Sequence, residues 1–153
     1  MNPIYGEFTA VPTVSTTPAY TAADAVGGML TFTGMGLYGG IITAVSVIDT
    51  SDQKAALELV LFNSVFTPST DNAAFALADA DESKCIGVIK LTTTTDAATD
   101  YADFGAKSVL TKTGIAVSVP KTFDRNIYGQ LVTRSTPTYA STSALRITLI
   151  MPS

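Results

Sequence analysis

The run Gly39–Ser64, GGIITAVSVIDTSDQKAALELVLFNS, constrains the chain more than any other stretch. Read as a strand over Ile41–Ile48, it puts Ile41, Val45 and Val47 on one face and Ile42 and Ile48 on the other. A second strand, Ala56–Phe62, puts Leu57, Leu59 and Leu61 on one face, with Glu58 interrupting the other. Side chains alternate across a strand, so the pair presents a continuous apolar face that a further layer must cover. β-Branched residues over strand-length segments argue against helices, and Asp49–Lys54 between them is a polar turn.

The remainder reads in the same way. Met29–Phe32, Cys85–Leu91, Phe104–Leu110, Ile115–Val119, Tyr128–Arg134 and Leu145–Ile150 are strand candidates. In the last of these Leu145, Ile147 and Leu149 alternate with Arg146 and Thr148. The Gly34–Gly40 segment is a turn, and Thr67–Ser83 is a long connection with one helical turn expected near Asn72–Ala78. Seven or eight short strands with polar Thr/Ser loops predict an all-β fold, an antiparallel β-sandwich or a jelly-roll-like barrel.

Residues 1–19 stand apart as an extended N-terminal arm, leaving 20–153 as a single β domain. Pro3, Pro12 and Pro18 remove ladder donors and forbid a regular helix there. A solvated linker has no need of Ile4, Tyr5, Phe8, Val11 and Val14, so these five are the candidate partner contacts, with the arm crossing onto another surface. The competing expectation is an edge strand folded back on its own domain.

Composition narrows the chemistry. With 153 residues the chain makes one domain able to bury a core. Charged residues are only 14%, against roughly 25% in ordinary soluble domains, a surface suited to being covered by partners. The nine Lys and Arg are scattered and the net charge is −4, which disfavours nucleic acid as a partner. No histidine is present, which removes Ser–His and Cys–His pairs, the commonest general base and the commonest metal ligand. The one cysteine, Cys85, precedes an apolar run and reads as a buried thiol. Ala25–Ile48 is uncharged and long enough to span a bilayer, but its six glycines and acidic flanks favour turns between strands, so no membrane partner is expected.

Three motifs bear on chemistry. Gly34–Gly39 matches G-x-G-x-x-G, with Glu58 beyond it, yet a β-branched run follows where a dinucleotide site needs a helix N-terminus. Asp79, Asp81, Glu82 and Asp96, Asp100, Asp103 form two acidic clusters that could hold calcium but lack EF-hand spacing; solvated loops are the default. Phe123-Asp124-Arg125-Asn126 reads as a tight turn closed by an Asp–Arg contact. No catalytic residue, cofactor ligand or metal ligand emerges.

Taken together, Tyr20–Asp24 with Gly27-Gly28, Ile48–Phe62, and Tyr128–Arg134 with Pro137-Thr138-Tyr139 resemble small β-rich virion proteins of tailed bacteriophages that decorate or cement the outer capsid. The likeness covers most of residues 20–150 and rests on general pattern. It implies a non-enzymatic homo-oligomer, trimeric by preference, on the outer capsid surface of the virion, with the major capsid protein as partner. The alternative is a phage tail, fibre or host-surface binding module; a carboxylate-based hydrolase is a weaker third.

Overall fold

Strand-forming alternation is realised along most of the chain. The computed structural model describes residues 5–93 and 95–152. Their strands are β1 (Tyr5–Ala10), β2 (Ala25–Phe32), β3 (Gly40–Ile42), β4 (Ala44–Asp49), β5 (Leu57–Phe62), β6 (Cys85–Lys90), β7 (Tyr101–Asp103), β8 (Ser108–Lys112), β9 (Val117–Val119), β10 (Ile127–Thr133) and β11 (Leu145–Pro152). A five-stranded sheet runs β1-β11-β4-β8-β7, a four-stranded sheet β2-β10-β5-β6, and β3 pairs with β9. Every pairing is antiparallel and no sheet closes on itself, so the architecture is a β-sandwich and the barrel alternative is not adopted.

The sheets bury their facing sides against each other. Val45, Val47, Leu110, Ile147 and Leu149 from one meet Val26, Phe32, Leu59, Leu61, Ile127 and Leu131 from the other. Antiparallel sheets usually leave their outer faces to solvent, but β5 and β10 are buried on both sides. The 63–84 connection folds over them, and Phe66 and Phe75 join Val60, Phe62, Tyr128 and Val132 in a second cluster. Phe66 stacks on Phe62 with ring centroids 3.8 Å apart. Cys85 packs against this cluster, half-buried rather than enclosed.

The organising stretch departs from the sequence reading in two ways. β4 and β5 are not neighbours: β4 belongs to the five-stranded sheet and β5 to the four-stranded one, so residues 50–56 cross between layers. The buried Asp49 holds that crossing by accepting the backbone N–H groups of Ser51, Gln53 and Lys54. Ile41–Ile48 is also not one strand. At Thr43, whose N–H goes to Ile150 O at 3.0 Å, the chain leaves its pairing with β9 and enters the sheet beside β11. The break resets the alternation, so Ile42 joins Val45 and Val47 in the core while Ile41 is half exposed. The helical turn expected near Asn72–Ala78 is absent; a 3₁₀ turn forms instead at Asp79–Lys84.

Residues 5–19 are continuous with the body. β1 pairs with β11 over its whole length, from Tyr5↔Pro152 to Ala10↔Ile147, and forms an edge of the five-stranded sheet. Val14 is buried, its N–H bonded to Thr142 O at 3.0 Å. Asp71 in the 63–84 connection accepts from Tyr20 Oη at 2.6 Å, Gly27 N at 2.7 Å and Ser15 Oγ, which ties segment, sheet and connection together.

Candidate interaction surface

Two strongly exposed aromatics, Tyr38 and Phe123, stand in turns that meet at one end of the sandwich, while a third, Phe104, lies in the turn between β7 and β8. The β2–β10 ladder ends there at Phe32↔Ile127, so the turns before β3 and β10 lie side by side. Asn126 Oδ1 accepts from Gly34 N at 3.0 Å, Arg125 O from Gly36 N at 3.0 Å, and Gly36 O from Thr122 N at 2.8 Å. Only glycine fits at 36, because a Cβ would stand 2.1 Å from Thr122 Oγ1. Gly39 has φ +76°, and a Cβ there would come within 2.9 Å of Val119 O.

This laced pair of turns holds apolar groups out into solvent. Phe123 is fully exposed and Tyr38 is 82% exposed. Val65, 54% exposed, shares with Phe123 the lining of an open depression of about 400 Å³ that also includes Lys84 and Asp124. The tip is stiffened from beneath. Asp124 accepts from Asn126 N at 3.1 Å and from the Tyr128 hydroxyl, a contact that holds its carboxyl below the usual range and pushes the tyrosine up. The expected Asp124–Arg125 contact is therefore replaced by Asp124–Tyr128, because Arg125 turns outward at φ +66°. Lys84 is held by Asp81 at 2.6 Å and by Val65 O at 3.0 Å.

Of the arm residues described, Phe8 lines a depression of about 210 Å³ beside Tyr38, together with Met35 and Met151. Phe8 packs on the chain's own core, Val14 lies inside it, and Val11 is exposed beyond the end of β1. Ile4 and the Tyr5 side chain fall outside the described residues. A pairing edge and a buried anchor are what the body itself gains from the segment, so Val14 is not available to a partner while β1 stays in place, whereas Phe8 is only partly buried.

The other motifs are occupied by local structure. The G-x-G-x-x-G run leads into β3, and the Gly36 amide that a phosphate would need is bonded to Arg125 O. Among the described residues no three acidic or cysteine side chains converge as a metal site. In the first acidic cluster Asp81 is paired with Lys84 and accepts from Thr67 N, which lowers its carboxyl below the usual range. In the second, Asp103 pairs with Lys54 at 2.9 Å and Asp100 accepts from Thr93 N at 2.7 Å. Among the described residues no helix is long and apolar enough to cross a membrane. No family profile, curated protein or solved structure matches the chain.

Sequence reading missed the tip. Tyr38 and Phe123 each sit among Gly, Asp and Asn, a turn context in which a lone aromatic has no strand to follow into a core. That mismatch was the available signal.

Proposed function

We propose that the chain is a structural virion protein of a tailed phage that binds the outer surface of the capsid and cements neighbouring major capsid proteins as a homo-oligomer. The observation that carries a binding role is the laced pair of turns that holds Tyr38 and Phe123 out in solvent, with Val65 beside Phe123. Aromatic anchors on a stiff support are how protein interfaces gain affinity with little ordering cost. The capsid as partner comes from the resemblance. A ligand that binds only the assembled lattice stabilises that lattice by mass action, and repeated copies add avidity.

Quantitative mass spectrometry of purified virions tests the assignment, with a copy number approaching that of the capsid subunit as the expected result. Absence from particles overturns it; a few copies per particle would favour the tail or fibre reading. Phe123→Asp tests the site. Burying one Phe is worth roughly 1.5–3 kcal/mol, so shell binding should weaken by about 10- to 100-fold. Thermal stability should stay unchanged, because Phe123 touches no core.

A further inference from the structure

The outer face of the five-stranded sheet is uncovered and nearly uncharged. Its central row is made of hydroxyls. The pairings Thr9↔Thr148, Thr148↔Ser46 and Ser46↔Thr111 set four of them side by side, and Thr9 Oγ1 and Thr148 Oγ1 are 2.9 Å apart. Apolar groups flank that row on both sides. Ile150↔Ala44 lies along one side and Ile48↔Val109 along the other. Within the strands the outward positions carry one acid and one base among the described residues, Glu7 opposite Ile150 and Arg146 opposite Ile48, both exposed, with Asp100 beside Thr111 at the far end. Neither Glu7 nor Arg146 has an ion-pair partner within the chain among the described residues.

Their placement is self-complementary. Glu7 and Arg146 are offset by one strand across the sheet and four residues along it, roughly 5 Å by 13 Å. A two-fold axis in the plane of the face, passing between Thr9 and Thr148, exchanges these two positions. We infer that two copies of this chain pack outer face to outer face about that axis. Glu7 of each copy then meets Arg146 of the other, twice over. The same rotation lays the Ile150 side of one face toward the Ile48 side of the second, and the two hydroxyl rows cross at roughly 40°, meeting near Thr9 and Thr148. An isologous contact of this kind needs only one patch that matches itself, and aligned stacking is a normal arrangement for twisted sheets.

The inference is independent of the capsid assignment and uses a surface remote in sequence from the Tyr38–Phe123 tip. It also differs from the three-fold association that the resemblance implies, since a reciprocal acid–base exchange is a two-fold property. Five strands by three rows cover roughly 400 Å² in projection, below the roughly 800 Å² per partner of a standard interface. The dimer is accordingly weak, and the sign of its two charge pairs decides whether it forms.

Sedimentation equilibrium of the full chain at low ionic strength, from about 10 to 500 μM, tests this. A monomer–dimer equilibrium that weakens with added salt is expected. Glu7→Arg alone and Arg146→Glu alone each set like charges against each other and should raise the dissociation constant at least tenfold. The double reversal should return it to within about threefold of the starting value. Both positions are exposed, and circular dichroism melts verify that each variant folds; Glu7→Gln and Arg146→Gln replace any reversal that does not, with a smaller loss in the same direction. A chain monomeric throughout overturns the inference, as does an oligomer indifferent to the single reversals or not restored by the double one.

Discussion

Tyr20, Tyr101 and Tyr139 sit at one side of the core, and burial pushes all three hydroxyls above the ordinary value of 10.0, with Asp71 and Asp49 adding to it. A hydroxyl whose folded pKa is raised stays protonated when the unfolded chain has already lost its proton. Its contribution to stability is therefore complete below pH 10 and declines above it, by about 1.4 kcal/mol per pH unit for each tyrosine. A steep alkaline limb beginning near pH 10 is expected in thermal or denaturant melts. Tyr139 Oη is buried with no hydrogen-bond partner among the described residues. Tyr139→Phe should thus lower the slope of that limb by about one tyrosine's share and leave stability at pH 7 equal or about 1 kcal/mol higher. A loss at neutral pH would show that the hydroxyl is satisfied. The acids beside these tyrosines were not legible in the sequence, since Asp71 lies 51 positions from Tyr20.

At the scale of the element, β1 and the segment after it decide what the N-terminus is for. Alternation places Phe8 and Ala10 inward and Glu7 and Thr9 outward, the pattern of an ordinary edge strand with one solvated face. Deleting residues 1–17 removes the β1–β11 ladder, the buried Val14 and the Ser15–Asp71 contact. Val14 alone is worth roughly 1.5–3 kcal/mol, and a ladder of six residues adds to that. The truncated chain should melt at least 10 °C lower or fail to fold, read by circular dichroism. A truncated chain of unchanged stability would return the segment to the role of a detachable arm. Three prolines and five apolar residues could not decide between these outcomes, because an edge strand and a partner-binding arm need the same residues.

For the whole molecule, the two clusters predict unequal cooperativity. The inter-sheet core is shared by both layers, whereas the outer cluster depends on the 63–84 connection, anchored by Phe66, Asp71 and Asp81. Phe66→Ala removes the stack on Phe62 and should cost about 3 kcal/mol. Amide exchange should rise across residues 63–84 and the outer face of β5 and β10 while β4 and β11 keep their protection. Exchange rising uniformly would mean the connection is part of the central cooperative unit. The sequence by itself determined that the chain is all-β, that Leu57, Leu59 and Leu61 and also Leu145, Ile147 and Leu149 point inward, and that Gly34–Gly40 turns, because period-two alternation and glycine act within a few residues. Only the tertiary structure decided that β4 and β5 lie in different sheets, that Thr43 resets the alternation, that the turn of Tyr38 is laced to the turn of Phe123 with Val65 beside it, and that Glu7 faces outward beside Ile150. Each of these depends on which distant strand satisfies a backbone edge, and that choice is made by layer packing across the whole chain rather than by any local pattern.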